Sequence, residues 1–288
     1  MKALITGGAG VVGRALCREL LGRGVDVRVL TLPGDPHAKT LPLEVEVFYG
    51  NVTDRGSLEP AFSGVDTVFH LAAILLSTVP EAFAKINAGG TRNVVECCEA
   101  AGVRRLLYVS SISVTYPVLT PYGQSKLAGV SLVKRSGLDW TIVRPTLVIG
   151  DGGGIEFNMF ARYVTRFPVY LMPGGGQSKK RPVRSVDLVK GIAAAGLADS
   201  AVGRTYALAG PEVMTMAEMA RRILASHGRR HLMLPLPWWL SKRLAVLKNW
   251  AGGNRVSAEQ ALAGFLYDAV PDIDDAVRDL GYAPENAL

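Results

Sequence analysis

A tyrosine and a lysine four residues apart are the side chains of this sequence best suited to chemistry. Tyr122 and Lys126 follow Thr120-Pro121, a pair that predicts a helix start, so both side chains share one helical face about 5.4 Å apart along the axis. A phenol has an ordinary pKa of about 10, but a neighbouring ammonium group favours its ionised form. Such a pair can move a proton to or from a carbonyl or alcohol oxygen. On its own, the pair is more simply an exposed Tyr and Lys on a helix.

A serine pair just before this helix strengthens the chemical interpretation. Ser110 and Ser111 end a predicted strand over 105–110, so they come close to the helix that carries Tyr122. Ser111 is placed to hydrogen-bond the same substrate oxygen. The alternative is a turn at the end of a strand, with both hydroxyls satisfied locally.

The first fourteen residues predict a nucleotide site. Met1–Ile5 has the pattern of a buried strand and Val11–Leu21 that of a helix. Between them, Gly7, Gly10 and Gly13 supply a tight turn, close backbone approach to a pyrophosphate, and helix–strand contact. The helix N-terminus then offers N–H groups to phosphates. We interpret this as a dinucleotide site, the alternative being a glycine-rich turn without a ligand.

The rest of the first half alternates between strands and helices. This order predicts an α/β fold with a doubly wound parallel sheet of the Rossmann type, and ligands at the carboxyl ends of its strands. From about Gly150 the pattern becomes less regular, which predicts a dinucleotide-binding domain over 1–150 and a smaller, mostly substrate-binding C-terminal lobe over 151–288, with some segments returning to the sheet. The predicted strands are 26–30, 45–49, 67–71, 105–110 and 140–144, and the helices are 57–62, 87–101 and 121–136.

Composition narrows the class of protein. The 288 residues are 49% hydrophobic and contain no run long enough to predict a transmembrane segment, so we expect a soluble, cytoplasmic protein. Its three cysteines predict reduced thiols, and neither they nor the four histidines have metal-ligand spacing. The net charge of +7 comes from basic residues that look dispersed, which argues against a nucleic-acid partner. An anionic cofactor would account for part of the excess.

Several motifs resemble the extended short-chain dehydrogenase/reductase family, also called the NAD-dependent epimerase/dehydratase family. The resemblance extends almost to the C-terminus and implies a Rossmann fold, an NAD(P) cofactor, an oxidoreductase, epimerase or dehydratase activity on a small-molecule substrate, and a homodimer. The motifs are TGGAGVVG at 6–13, HLAA at 70–73, NAGGTRNV at 87–94, VSSISV at 109–114, YGQSK at 122–126, VRP at 143–145, RPVRSVDL at 181–188 and LGYAP at 280–284.

The resemblance also implies residue roles. Tyr122 would be the catalytic acid/base, Lys126 would lower its pKa and hold the nicotinamide ribose, and Ser111 would orient the substrate oxygen. His70 is interpreted as a buried strand histidine without a proton role. The cofactor would contact Gly7, Gly10, Val11, Val12, Gly13, Arg14, Asn51, Val52, Leu71, Ala72, Ala73, Asn87, Tyr122, Lys126 and Pro145.

Departures from the family pattern bear on the cofactor. The family acid that binds the adenosine ribose is missing near Thr31, and Asp35 comes only after Pro33-Gly34. Because an acid there would repel a 2′-phosphate, its absence, together with Arg14 beside the glycine turn, favours NADP over NAD. Asn51 replaces an aspartate that faces the adenine and can still hydrogen-bond its amine.

Two substrate classes remain open. A nucleotide sugar is the first, because Asn158 and Arg181 fall where family members grip a diphosphate; the alternative for Arg181 is a solvated basic loop. The second is an apolar sterol-like or flavonoid-like alcohol or ketone, since 232–236 is strongly apolar and Leu240, Leu244 and Leu247 recur at helical spacing. That stripe is best explained as the core face of a helix. The alternatives are that it lines an apolar pocket or lies on a membrane surface. A non-catalytic nucleotide-binding subunit is a further class, disfavoured by the Tyr122 and Lys126 pair.

Overall fold

A central sheet of seven parallel strands organises the computed structural model, which describes residues 1–150, 154–251 and 258–288. Its strand order is β3-β2-β1-β4-β5-β6-β11, and the other strands form short two-stranded pairs. The strands are β1 (Lys2–Thr6), β2 (Asp26–Thr31), β3 (Glu46–Tyr49), β4 (Thr67–His70), β5 (Arg105–Val109), β6 (Asp139–Pro145), β7 (Val148–Ile149), β8 (Val169–Pro173), β9 (Lys179–Lys180), β10 (Val183–Arg184), β11 (Thr205–Leu208), β12 (Met214–Thr215) and β13 (Leu232–Leu236).

Helices cover both faces of this sheet, so the predicted doubly wound fold is confirmed. The α-helices are α1 (Val11–Gly22), α2 (Glu59–Phe62), α3 (Pro80–Phe83), α4 (Gly90–Ala101), α5 (Pro121–Arg135), α6 (Ile155–Arg166), α7 (Ser185–Leu197), α8 (Met216–Ser226), α9 (Trp238–Ala251), α10 (Ala258–Leu266) and α11 (Asp274–Leu280). The predicted strands and long helices match these bounds within three residues. The chain before α4 forms a π-helical turn over Ala84–Gly89.

The strands are apolar on both sides because each face packs on a separate helix layer. In β1, Ala3 and Ile5 belong to the core cluster that includes α1 and α7, whereas Leu4 belongs to the cluster that includes α4 and α5. Contact between the layers is close, since a Cβ at Gly196 of α7 would lie 2.2 Å from the Phe69 ring. This packing fixes the strand ends that carry the candidate site.

Residues after 150 contribute to the sheet and also build a third core. β11 pairs with β6 in parallel, and α7 packs on α1. Away from the sheet, Phe160, Tyr170, Met172 and Met219 form a separate apolar cluster. This third cluster supports α6 and α8, which pack on each other.

The apolar stripe after residue 238 does not form a core face. Leu244 and Leu247 are 41% and 59% exposed on α9, and Trp239 is 61% exposed, so that prediction is wrong for these residues. The helical spacing was read correctly, but periodicity cannot tell whether another element covers the apolar side. Within the described ranges, no helix is long and apolar enough to cross a membrane.

Candidate active site

A glycine turn between β1 and α1 leaves room for a ligand beside the backbone. Gly7 has φ +72°, and a Cβ there would lie 2.9 Å from the backbone of Ala72. A Cβ at Gly13 would lie 2.4 Å from the carbonyl oxygen of Gly7, so α1 packs directly on the turn. A Cβ at Gly10 would also lie close to the Gly7 carbonyl oxygen, at 3.2 Å. The turn therefore has the close backbone approach that a pyrophosphate site needs.

The N-terminus of α1 faces this turn without a capping side chain. Gly10 is its N-cap residue, so the first N–H groups of the helix, including those of Val11 and Val12, have no acceptor within the helix and lie at the positive end of its dipole. Arg14 donates a hydrogen bond to the carbonyl of Ala9, which holds its guanidinium beside the turn. These residues fit the phosphates of a dinucleotide.

A buried histidine fixes the segment that lies across the turn. The Thr91 hydroxyl donates to the carbonyl one turn earlier in its own helix, so it accepts from Nε2 of His70 at 3.0 Å. Nδ1 of His70 then accepts from the Thr6 hydroxyl at 2.7 Å, and Thr6 Oγ1 accepts the Ala72 N–H at 3.3 Å. Burial lowers the pKa of His70 to about 3, which keeps the ring neutral. The network positions residues 71–73 against the turn.

A second buried network holds the helix that carries the tyrosine. The Asn87 side chain accepts the Ile74 N–H at 2.9 Å and donates to the Ile74 carbonyl at 3.1 Å and to Ser125 Oγ at 3.0 Å. Ser125 in turn donates to the Tyr122 carbonyl at 2.7 Å. Asn87, predicted to contact the cofactor, thus links the loop after β4 to α5. Sequence reasoning missed Ser125, whose signal is a hydroxyl three residues after Tyr122.

The remaining predicted cofactor positions lie at the carboxyl edge of the sheet. Asn51 follows β3, and its side-chain oxygen accepts the Thr53 N–H at 3.0 Å, so that oxygen is already engaged within the loop. Val52 is buried against Gly90, where a Cβ would lie 2.8 Å from its side chain. Pro145 is the last residue of β6.

Ser111 and Tyr122 come together at the end of β5. Ser111 caps the short turn that follows the strand, and its Oγ accepts the Ser113 N–H at 3.2 Å. α5 begins ten residues later, where Thr120 accepts the Gly123 N–H at 3.0 Å. This places Ser111 near the Tyr122 phenol, whose pKa a hydrogen bond from the Ser111 side chain lowers. The geometry gives two hydroxyls that one substrate oxygen can meet.

Burial dominates the electrostatics of the tyrosine and the lysine. It raises the pKa of Tyr122, the Glu156 carboxylate raises it further, and only the Ser111 hydrogen bond lowers it. Lys126 is 2% exposed, and burial lowers its pKa to about 7. Its ammonium nitrogen lies 4.3 Å from the centre of the Tyr108 ring. At neutral pH, Tyr122 is therefore a proton donor.

A carboxylate and a second buried lysine lie on the substrate side. Glu156 lies in the first turn of α6, and its charge raises the pKa values of Tyr122 and Lys180. Burial raises the pKa of Glu156 itself, and the charge of Lys180 lowers it. Burial likewise lowers the pKa of Lys180 to about 8. The Lys180 nitrogen lies 5.9 Å from the centre of the Tyr116 ring. Sequence reasoning missed Glu156, because only the fold brings the start of α6 within electrostatic reach of Tyr122.

The two predicted diphosphate ligands have different surroundings. Arg181 donates to the carbonyl of Gly210 at 2.6 Å and to that of Pro271 at 2.9 Å. Its guanidinium therefore ties two loops together. Asn158 is exposed on α6, one turn after the Gly154 carbonyl to which its N–H donates at 3.1 Å. The Arg181 guanidinium is thus already engaged by backbone carbonyls, and the structure does not present it to a substrate diphosphate.

The comparison with protein families matches residues 3–209 to the model described as the NAD-dependent epimerase/dehydratase family. Two relatives match over nearly the whole chain. A 3 beta-hydroxysteroid dehydrogenase/Delta 5-->4-isomerase of Mycobacterium tuberculosis is 29% identical, covering 98% of this chain and 86% of its own. A 2-alkyl-3-oxoalkanoate reductase of Stenotrophomonas maltophilia is 28% identical, covering 100% and 96%.

Among solved structures, the fold is shared with DesIV, a dTDP-glucose 4,6-dehydratase from Streptomyces venezuelae solved with NAD and TYD bound. The TM-score is 0.77 at 22% identity, with 100% of this chain and 93% of that chain covered. At this identity the likeness shows the fold. One of the two relatives is named as a dehydrogenase and the other as a reductase. These names overturn the interpretation of the chain as a non-catalytic subunit.

Proposed function

Because the chain belongs to the NAD-dependent epimerase/dehydratase family and is an NAD(P)-dependent enzyme, we propose that it oxidises or reduces an apolar alcohol or ketone. Tyr122 is the acid/base, Ser111 orients the reacting oxygen, and Lys126 holds the cofactor ribose. The observation that carries this is the position of Ser111 just after β5 and of Tyr122 at the start of α5, at the sheet edge where the glycine turn lies. A nicotinamide cofactor bound at this edge would supply or accept the hydride.

The raised pKa of Tyr122 keeps its phenol protonated at neutral pH, which suits catalysis of the reduction. In reduction, the protonated phenol donates its proton to the carbonyl oxygen, while Ser111 donates a hydrogen bond that polarises the same oxygen. In oxidation, Tyr122 must first be a phenolate, so the rate should rise as the pH approaches its raised pKa. Lys126 contributes a positive charge or a hydrogen-bond donor next to the site of this proton transfer.

Support for an apolar substrate comes from the charges of the cleft. A nucleotide sugar brings a diphosphate, but Glu156 lies within electrostatic reach of Tyr122 and would repel it. Arg181, the residue expected to bind that diphosphate, instead donates to two backbone carbonyls. The names of the two relatives, a steroid dehydrogenase and an alkyl-oxoalkanoate reductase, agree with an apolar substrate class.

The first test is Arg181→Ala. We expect the midpoint of thermal unfolding to fall, because two part-buried carbonyls lose their donor, while kcat/KM for a long-chain ketone changes by less than about threefold below that midpoint. Purified protein is screened with steroids, 3-oxoalkanoates and UDP- or dTDP-sugars, with cofactor absorbance as the readout. Turnover of a nucleotide sugar, with KM raised more than about tenfold by Arg181→Ala, would replace the apolar substrate by the diphosphate-bearing one.

The fold places an acidic side chain at the end of β2, where the sequence pattern lacked one. The Asp35 carboxylate accepts from the Thr31 hydroxyl at 3.0 Å and from the His37 N–H at 2.9 Å, which brings it back to the last residue of the strand. A carboxylate there suits a ribose 2′-hydroxyl and repels a 2′-phosphate. For the cofactor we therefore propose NAD(H), where the sequence alone favoured NADP(H).

Asp35→Asn tests the cofactor preference. The amide keeps an oxygen that accepts the His37 N–H and an NH2 group that can donate to the Thr31 hydroxyl, but it loses the charge. We therefore expect the ratio of NADPH to NADH affinity to rise at least about fivefold. Titration of tryptophan fluorescence with each reduced cofactor measures the ratio. Tighter NADPH than NADH binding by the wild type would restore the sequence-based preference.

A further inference from the structure

An apolar surface stands out on the strand pair β8/β13. The register places Leu232 beside Val169 and Leu234 beside Leu171, and these four outward side chains are 40% to 59% exposed. We call these four residues the apolar face. Alternate residues of β8 point inward and are fully packed, so both sides of the pair are apolar. The two strands pair in parallel, and parallel strands are normally covered on both faces, so the exposed apolar side marks an interaction site.

Flanking elements extend this surface at both ends. Phe167, 54% exposed, comes just before β8. At the other end, a Cβ at Gly174 would lie 2.4 Å from the Trp238 ring, so the start of α9 abuts the end of β8. The next residue, Trp239, is 61% exposed. Aromatic side chains at the borders of an apolar surface are typical of contacts with a lipid interface.

The two segments that carry and flank the apolar face are basic. Residues 159–171 and 227–251, the basic segments, contain seven Lys and Arg residues and no Asp or Glu. The whole chain has 32 basic and 25 acidic residues, so the cations of these two segments equal its net charge of +7 in number. Two of them lie at the borders of the apolar face, where Arg166 is over the Phe167 ring and Arg243 is over the Trp239 ring. The seven residues are Arg162, Arg166, Arg229, Arg230, Lys242, Arg243 and Lys248.

We propose that the apolar face docks on the surface of a membrane containing anionic lipids. The apolar side chains enter the interface between headgroups and acyl chains, and the basic segments meet the lipid phosphates and carboxylates. A protein partner would need its own acidic apolar surface, whereas an anionic bilayer supplies both features over any area. The side chains project from a strand face and the outer side of a helix, so the contact is peripheral.

The docking surface connects with the cleft through α6. This helix begins at the cleft beside Glu156, and its Tyr163 hydroxyl donates to the Leu171 carbonyl of β8. A lipid-dissolved ketone would therefore reach Tyr122 along one helix, a consequence that rests on the proposed function. The binding to lipid does not depend on it, so the two proposals fail separately.

Vesicle flotation of the full chain tests the proposal. We expect the wild type to float with vesicles of phosphatidylserine and phosphatidylcholine, to float far less with phosphatidylcholine alone, and to be released by salt. Leu234→Gln with Trp239→Gln should lower the partition coefficient at least about tenfold, because the apolar anchors are lost. Leu43→Gln, at a fully exposed leucine elsewhere, is the matched control and should bind like the wild type.

Charge reversal tests the electrostatic half. Arg229→Glu with Arg230→Glu should lower binding to the anionic vesicles at least about tenfold, whereas Arg18→Glu with Arg135→Glu, of equal charge change, should lower it far less. All variants should keep the wild-type unfolding midpoint and turnover of a water-soluble short-chain ketone. Folded wild type that does not float with anionic vesicles, or control variants that lose binding equally, would overturn the proposal. A dimer that dissociates in the Leu234 and Trp239 variant, without vesicle binding, would assign the face to a second copy instead.

Discussion

Replacing Tyr122 with Phe is expected to lower kcat by at least about a hundredfold, because the only change is the loss of the positioned proton donor. The start of α5 is fixed by the side chains of Thr120 and Ser125, and the Tyr122 ring, which Phe keeps, packs edge-on against Phe83. The unfolding midpoint and NADH affinity should therefore stay near the wild-type values. Steady-state rates with the substrate found by screening, together with cofactor titration, check the result.

Tyr116→Phe is the matched control, since this tyrosine lies near Glu156 but does not meet Ser111. It should keep kcat within about threefold of the wild type. Wild-type oxidation should accelerate with rising pH because burial raises the pKa of Tyr122, while reduction should stay flat near neutral pH. A Tyr122→Phe enzyme with full turnover would refute the assignment.

Lys126→Met should lower both turnover and cofactor affinity, each by about a hundredfold or more, because one side chain is assigned to the ribose and to the proton-transfer site. Met fills nearly the same volume beside Tyr108, so the loss would not come from a cavity. Lys180→Met removes a second buried lysine in the neighbouring cleft. It should leave NADH affinity unchanged, and an equal loss of affinity there would contradict the specific role of Lys126.

Lys126→Met should also raise the unfolding midpoint at pH 7 and below. Burial lowers the pKa of Lys126 from 10.5 to about 7, so between these pH values the unfolded chain binds more protons and the wild type gains stability as pH rises. Below about pH 7 the folded state carries the full cost of a buried charge. The midpoint difference between Lys126→Met and the wild type should therefore be largest at low pH and shrink towards pH 9. A pH-independent difference would show that Lys126 is not buried as a charge.

The nucleotide-binding half was predictable because its signals are local. A strand, a turn of glycines and a helix follow one another within the first 22 residues, where Gly7 has a positive φ and Gly13 packs on Gly7 and Gly8. The spacing of Tyr122 and Lys126 likewise needs only one helix. Parallel strands place their carboxyl ends on one edge, so the serine, the tyrosine helix and the glycine turn were expected to meet.

Contacts between distant segments decided the rest. The sequence alone determined the fold class and the glycine turn, because periodicity and short spacings encode them, and it predicted the proton-transfer pair from one helical spacing. Whether Arg181 is a ligand or a loop tie, and whether Glu156 faces Tyr122, depends on partners up to about a hundred residues away. Only tertiary packing could show that the apolar stripe of α9 is uncovered, since an apolar side chain is buried or exposed according to what the rest of the chain brings against it.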